Sequence, residues 1–215
     1  MISRPAPGDP AAPLPAPSTA LCSALSPALP PAPSPEGEEP ALPAARLRAL
    51  PPRCGPVRLV GIDGHAGSGK STLAARLARE LGGAPVVHLD DLASHASFFG
   101  WAETFREQVA APLSRGQAAR YRVYDWERRA FAAEAVVEPA PVVLVEGVGA
   151  GRRALRPYLS FLIWLAVPPA EAWARGLRRD GPGLREFWRK WTAAETAHFT
   201  DDPSKPFADI LMRPS

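Results

Sequence analysis

The sequence predicts an α/β protein with a parallel, doubly wound sheet of five core strands and helices on both faces. From Val57 onward, short apolar runs typical of buried strands alternate with segments whose apolar residues recur at helical spacing. A glycine-rich turn, GHAGSGKS, joins the first of these runs to the first helical segment. Strands that alternate with helices favour a parallel sheet, because a helix is the usual crossover between parallel neighbours.

Five apolar runs are the expected strands. VRLVGI begins at Val57, PVVHLD ends in Asp90, PVVLVEG contains Glu146, FLIWLAV follows, and ADILM lies close to the end of the chain. The run PVVLV is entirely apolar, which is typical of a strand that is covered on both faces.

Helices are expected between these strands. The first spans Ser71–Leu81, where leucines recur every four residues, and the pair Gly82–Gly83 ends it. Further helices are expected at residues 101–113, from about Pro169 to Asp180, and through REFWRKWTAAETAHF.

Residues 1–52 differ from the rest of the chain in composition. They are rich in proline and alanine and hold few large apolar side chains. Proline fixes φ and removes a backbone donor, and so little apolar surface does not offset the entropy lost on ordering. We expect a disordered segment over 1–52, followed by one folded domain over 55–215. A dispensable leader or an upstream start codon is favoured over a PxxP ligand as its explanation.

Composition excludes several classes of partner. The 25 basic and 22 acidic residues give a net charge of +3, and the basic residues are dispersed, so a nucleic-acid partner is not expected. The longest apolar stretch, FLIWLAV, is too short to cross a membrane. Cys22 and Cys54 form neither a metal-spaced cluster nor a disulfide framework, which indicates a reducing cytoplasm. The oligomeric state stays open.

The glycine-rich turn matches the phosphate-loop pattern G-x-x-x-x-G-K-[ST] at residues 64–71. Its glycines allow backbone N–H groups to turn toward phosphate oxygens, and the helix that follows presents its positive N-terminal end to the same anion. Lys70 is expected on the β- and γ-phosphates and Ser71 on Mg²⁺. The residues expected to hold ATP are Gly64, His65, Ala66, Gly67, Ser68, Gly69, Lys70, Ser71 and Thr72.

Acidic residues follow the expected strands. Asp90 and Asp91 end the second strand and Glu146 ends the third, while Asp63 lies beside the loop. Ligands of open parallel sheets bind outside the carboxyl ends of the strands. A carboxylate there either holds Mg²⁺ or accepts a proton from an attacking hydroxyl. His65 and His88 are expected to serve local packing or hydrogen bonding.

The order of several short motifs resembles the uridine kinase family of P-loop kinases. VVHLDDL is similar to the family's strand with a catalytic base, which falls on Asp90, and LVEGV to its strand with a glutamate near Mg²⁺, which falls on Glu146. VYDW is similar to the acceptor-site motif, and RGLRRD to the arginine-bearing lid. The resemblance thus implies a substrate site with Asp90, Tyr124, Asp125, Trp126 and Arg129, and lid residues Arg175, Arg178 and Arg179.

Together the residues and the resemblance lead to one expected activity. We expect an ATP- and Mg²⁺-dependent kinase that transfers the γ-phosphoryl group to a small hydroxyl acceptor, with a uridine- or cytidine-like nucleoside as the first candidate. Lys70, Asp90, Arg175 and Arg178 are the expected catalytic residues, since Arg175 and Arg178 share a helix face. Arg128 and Arg129 stand where pyrimidine-specific members have a histidine. Kinases of nucleoside monophosphates or other small molecules, and a non-catalytic ATP-binding module, stay open as alternatives.

Overall fold

The structure is a computed structural model that describes residues 44–213. In chain order its strands are β1 (Arg58–Gly64), β2 (Val86–His88), β3 (Ala119–Asp125), β4 (Ala130–Val137), β5 (Val142–Glu146), β6 (Leu159–Leu165) and β7 (Ile210–Met212). Its helices are α1 (Ala44–Ala49), α2 (Lys70–Glu80), α3 (Ala102–Phe105), α4 (Ala111–Ser114), α5 (Pro169–Asp180) and α6 (Arg185–Asp201). A π-helical turn over Arg106–Ala110 joins α3 to α4, so the helix expected at 101–113 is present with a bulge in its middle.

The central sheet has five parallel strands in the order β2-β5-β1-β6-β7. The chain leaves β1 for the sheet edge at β2, and β5 later returns to lie between these two strands. The strand order therefore reverses beside the carboxyl end of β1, where doubly wound sheets bind their ligands. The predicted fold class and its five core strands are confirmed.

Both faces of this sheet are covered, as its apolar strands require. Along β1, Leu59 contributes to one core, whereas Val60 and Ile62 contribute to the other. The first core includes residues of α3, α4 and α6, and the second includes residues of α1 and α2. Side chains of successive strand residues alternate between faces, which is why one apolar run supplies both cores.

A two-stranded antiparallel hairpin, β3–β4, lies outside the predicted elements. Strand β3 alternates mainly between buried and exposed residues and β4 between half-buried and exposed ones, and Tyr121 and Tyr124 belong to the core that includes residues of α3, α4 and α6. The turn that joins them contains no glycine, and Arg129 adopts φ +54° there. A hairpin turn usually uses glycine or asparagine at such a position, so the usual sequence signal was missing.

The folded part of the chain begins earlier than the sequence predicted. Helix α1 falls within the segment 1–52 that was expected to be disordered, and Leu47 on this helix is fully buried in the core on the α2 side of the sheet. Ser160 also donates a hydrogen bond to the carbonyl of Pro51. The expected disorder therefore does not hold for the helix Ala44–Ala49. The rest of that prediction concerns residues 1–43, which lie outside the described part.

No helix within residues 44–213 is both long and apolar enough to cross a membrane.

Candidate active site

The loop between β1 and α2 forms a tight turn at the carboxyl edge of the sheet. Gly67 and Gly69 adopt φ +83° and +97°, a region that other residues rarely enter. A β-carbon on Gly67 would lie 2.1 Å from the carbonyl oxygen of Ala172 on α5. Glycine is therefore required at position 67, both for its conformation and for the close approach of α5 to the loop.

Lys70 is buried at the start of α2. Its Nζ donates hydrogen bonds to the carbonyl oxygens of Gly64 and His65, both at 2.9 Å. The ammonium group is thus held inside the curve of the loop, while the first N–H groups of α2 have no partner within the helix itself. A cationic side chain and a helix N-terminus together favour an anion at this point.

A cavity of about 310 Å³ opens beside this loop. The loop and the first turn of α2 contribute part of its lining, and α5 and α6 contribute another part. The cavity is lined by Ala66, Gly67, Gly69, Lys70, Ser71, Thr72, Asp90, Trp126, Glu146, Val148, Arg175, Gly176, Arg179, Asp180, Phe187, Trp188 and Trp191. Six of the nine loop residues expected to hold ATP thus face it, whereas Gly64, His65 and Ser68 do not.

Glu146, at the end of β5, connects the loop to β2. Its Oε1 accepts a hydrogen bond from Ser71 Oγ at 3.1 Å and lies 2.6 Å from His88 Nδ1. Burial raises the pKa of Glu146, but the bond and charge of His88, the charge of Lys70 and the Ser71 hydroxyl outweigh it, so its pKa lies below its usual range. The carboxylate is therefore charged at neutral pH.

Asp90 and Asp91 lie in the single 3₁₀ turn that follows β2. Asp90 faces the cavity, and its carbonyl oxygen accepts a hydrogen bond from Trp126 Nε1 at 3.3 Å. Asp91 is buried outside the cavity lining, and burial raises its pKa to about 6. The two adjacent acids thus differ in position, and only Asp90 can reach a ligand in the cavity.

The arginines of α5 divide between the cavity and solvent. Arg175 and Arg179 line the cavity, where Arg175 pairs with Glu171 at 2.5 Å and Arg179 with Asp180 at 2.6 Å. Arg178 is exposed and does not line it. Of the three expected lid residues, Arg175 and Arg179 line the cavity, whereas Arg178, one of the two arginines expected to be catalytic, does not.

Most of the expected acceptor residues lie away from the cavity. The Tyr124 hydroxyl is buried against His95, whose Nδ1 is 3.0 Å away, and Asp125 caps the hairpin turn by accepting hydrogen bonds from two backbone N–H groups. Arg129 is exposed in that turn. From this motif only Trp126 lines the cavity. Trp188 and Trp191 of α6 line it as well.

Three further polar residues support the site and were not assigned to it from the sequence. Asp63, fully buried, accepts hydrogen bonds from the backbone N–H groups of Gly64, Gly149 and Gly151. His88 holds Glu146, and Glu195 on α6 binds the loop. Glu195 was recognisable only as a carboxylate four residues from Trp191, on the face of α6 that carries the tryptophans.

The donor set fits Mg²⁺ that arrives with a nucleotide. Within residues 44–213 no group of three or more His, Cys, Asp or Glu side chains is arranged to hold a metal ion. Ser71 and Glu146 instead offer neighbouring hydroxyl and carboxylate oxygens on the cavity wall. Mg²⁺ prefers such oxygens and is commonly bound by one or two carboxylates together with substrate phosphates.

Comparison with known proteins identifies the fold. No protein-family model and no curated protein sequence matches this chain. Among solved structures it is similar to a possible uridine kinase from Bacillus stearothermophilus, with a TM-score of 0.58 and 22% identity over 78% of this chain and 94% of that chain. It is also similar to a protein from Silicibacter sp. TM1040 that is provisionally described as a fructose transport system kinase, with a TM-score of 0.50 and 25% identity over 73% of this chain and 85% of that chain. The chain therefore has the α/β fold of uridine kinase-like P-loop kinases.

Proposed function

We propose that this protein is an ATP-dependent kinase that phosphorylates a hydroxyl group of a small molecule. One observation carries the proposal: a single cavity has Lys70 and the first turn of α2 on one side and the carboxylate-bearing residue Asp90 on another. The first side suits the phosphates of a nucleotide, and Asp90 suits a hydroxyl that must lose a proton. The fold shared with P-loop kinases supports this assignment.

The nucleotide side acts by charge and position. The Lys70 ammonium and the N–H groups of the loop stabilise negative charge on the phosphates that leave with ADP. Arg175 and Arg179 face the same cavity from α5, where guanidinium groups stabilise the charge of the transferred phosphoryl group. Because Lys70 is buried and hydrogen-bonded to the loop, and the N–H groups belong to the backbone, little reorganisation of these donors is needed during transfer.

The metal side of the proposal involves Ser71 and Glu146. Their oxygens would hold Mg²⁺, which neutralises phosphate charge when it is bound. His88 keeps the Glu146 carboxylate charged and in position, because its Nδ1 contacts Oε1, the same oxygen that accepts the hydrogen bond from Ser71. The supporting observation is the contact of 3.1 Å between the Ser71 hydroxyl and Glu146.

The acceptor side combines one carboxylate with aromatic rings. Asp90 accepts the proton of the attacking hydroxyl, and Trp126, Phe187 and Trp191 provide flat apolar surface beside it. Such a surface suits the base of a nucleoside, and uridine or cytidine is the first candidate because of the motif resemblance.

A second candidate acceptor is a different small hydroxyl compound, such as a sugar or a nucleoside monophosphate. The observation that favours it is the position of Tyr124, Asp125 and Arg129, which do not line the cavity although the motif resemblance assigned them to the acceptor. One of the similar structures is also provisionally described as a fructose transport system kinase.

Product formation from Mg·ATP with nucleosides, nucleoside monophosphates, sugars and pantothenate tests the proposal. We expect one class of acceptor to be phosphorylated, and Lys70→Ala to lose this activity while circular dichroism shows a folded protein. Exposed Lys190→Ala serves as the control for loss of a lysine and should be as active as the wild type. Equal activity of a folded Lys70→Ala variant would contradict the assignment of the loop.

A further inference from the structure

Glu195 is a buried carboxylate that contacts the phosphate loop and side chains of both α5 and α6. Its side chain is completely buried. Oε1 lies 2.7 Å from His65 Nδ1 and accepts a hydrogen bond from Trp173 Nε1 at 2.9 Å. Oε2 accepts hydrogen bonds from the backbone N–H of Ala66 at 3.2 Å and from Trp191 Nε1 at 2.9 Å. Both oxygens therefore have two partners each.

These four partners come from three separate parts of the chain. His65 and Ala66 belong to the loop, Trp173 to α5, and Trp191 to α6, the helix that also carries Glu195. Helix α5 meets the loop directly at Gly67 and also carries the arginines that face the cavity. One side chain thus joins the phosphate loop to the two helices, α5 and α6, that also line the cavity.

The charge on Glu195 is maintained although no water reaches it. Burial raises its pKa, but the hydrogen bonds from His65 and Trp173 and the charge of Lys70 outweigh this effect, and its pKa lies below the usual range. A buried carboxylate without such partners would be costly, so the four contacts are needed to keep it in place.

We propose that Glu195 is a positioning residue for nucleotide binding, which fixes the first turn of the phosphate loop and holds α5 against it. It contacts no cavity ligand itself and acts through His65, Ala66 and Trp173. The proposal rests on the proposed function, because it assumes that Mg·ATP binds at this loop. It assigns to α6 a role in the site beyond lining the cavity.

Two substitutions of Glu195 test separately the charge of its side chain and the length of its side chain. Glu195→Gln keeps the length of the side chain but replaces one accepting oxygen by an amide nitrogen, so up to two of the four partners lose their acceptor. Glu195→Asp keeps the charge but is one methylene shorter, so it cannot reach both sets of partners. Since hydrogen bonds to charged groups are each worth roughly tenfold in an equilibrium constant, we expect Mg·ATP to bind at least about tenfold more weakly to each variant.

The experiment is calorimetric titration of each folded variant with Mg·ATP, well below its melting temperature. Glu186→Gln, exposed on the first turn of the same helix, controls for loss of a carboxylate. Leu47→Ala removes a fully buried side chain in the other core and controls for general destabilisation. We expect both controls to bind within about twofold of the wild type, even where Leu47→Ala lowers the melting temperature as much as the Glu195 variants do.

A folded Glu195→Gln or Glu195→Asp variant that binds Mg·ATP as tightly as the wild type, or more tightly, would overturn the inference. An equal loss of affinity in Leu47→Ala would overturn it too, because the role of Glu195 would then be general stability. If neither Glu195 variant folds, Trp173→Phe decides, since it removes one donor and keeps an aromatic ring; unchanged affinity there would overturn the inference. Failure of the wild type itself to bind Mg·ATP would instead contradict the proposed function.

Discussion

Asp91 is a buried acid that faces other acids, and this makes stability depend on pH. Burial raises its pKa to about 6 from an ordinary value of 3.8; the charge of His88 opposes this shift, and the charges of Asp90 and Glu146 add to it. The folded state therefore binds more protons than the unfolded state between about pH 4 and pH 6. By linkage, the buried charge of Asp91 lowers the stability of the folded state. This loss of stability is fully present above pH 6 and disappears as the pH falls toward 4.

Asp91→Asn should remove this loss of stability. We expect the variant to be more stable than the wild type at pH 7.5 by on the order of 2 kcal/mol, and this advantage should shrink at pH 4.5. Urea unfolding at the two pH values measures the difference in free energy of unfolding between variant and wild type, and Asp201→Asn, at an exposed position, is the control. An advantage that is equal at both pH values would show that the charge of Asp91 is not its cause.

Glu146→Gln tests the role of a single carboxylate toward the metal. The amide keeps the size of the side chain and removes the charge, so we expect ATP affinity at low Mg²⁺ to fall and to recover at high Mg²⁺. Titrations of ATP at several Mg²⁺ concentrations measure this, and exposed Glu107→Gln is the matched control. A variant whose Mg²⁺ dependence equals that of the wild type would exclude Glu146 from the metal site.

At the scale of residues, the sequence predicted the site residues that belong to a recognisable motif or lie at the end of an expected strand. Lys70, Asp90 and Glu146 were placed in this way, and all three line one cavity. Glu195 could not be placed from sequence, because its function depends on which helix face meets the loop. That orientation is decided by tertiary packing among aromatic side chains distant in sequence.

Helix α5 presents two of its three arginines to the cavity. The sequence analysis preferred Arg178 to Arg179 because Arg178 is three residues from Arg175. A spacing of four also lies on one side of a helix, so this argument applied equally to Arg179. We expect Arg175→Ala and Arg179→Ala each to lower kcat by at least about tenfold, because each removes positive charge beside the transferred group. Arg178→Ala should keep nearly full activity, and steady-state rates of the three variants decide it. An equal effect at Arg178 would point to the charge of the whole helix.

The short helix α1 belongs to the folded domain. Deletion of residues 1–52 removes Leu47, and loss of a fully buried leucine typically costs about 2–5 kcal/mol. We expect a fall in melting temperature of about 5 °C or more, given the usual change per kcal/mol in a domain of this size. Deletion of residues 1–43 is the matched control, since it keeps α1, and should change the melting temperature little. Equal melting temperatures for the two truncations would show that α1 adds no stability.

Elements with regular apolar periodicity were predicted well, and the hairpin was not. The expected helix from about Pro169 to Asp180 has those bounds in the structure. Strand β3 alternates mainly between buried and exposed residues and β4 between half-buried and exposed ones, but their turn contains Arg129 at positive φ where a glycine would have marked it. Trp126, which the motif resemblance assigned to the substrate site, does line the cavity, whereas Tyr124, Asp125 and Arg129 have positions that depend on the unpredicted hairpin.

At the scale of the whole molecule, the topology brings the chemistry together. The strand order places the ends of β1, β2 and β5 side by side, and Ile62 and His88 both pair with Glu146 in register. The loop after β1 and the acids after β2 and β5 therefore meet at one edge of the sheet, as the alternation of strands and helices predicted. We propose that at this edge Asp90 acts on the acceptor while the loop holds ATP.

The most direct test of this claim is the kcat of Asp90→Asn with the acceptor found in the product assay, measured beside its affinity for Mg·ATP. Loss of a general base typically lowers the rate by about 10²–10⁴-fold. We expect a fall of that order in kcat while the dissociation constant of Mg·ATP stays within about threefold of the wild type, because Asp90 acts on the acceptor. A folded Asp90→Asn variant with wild-type kcat would contradict the account.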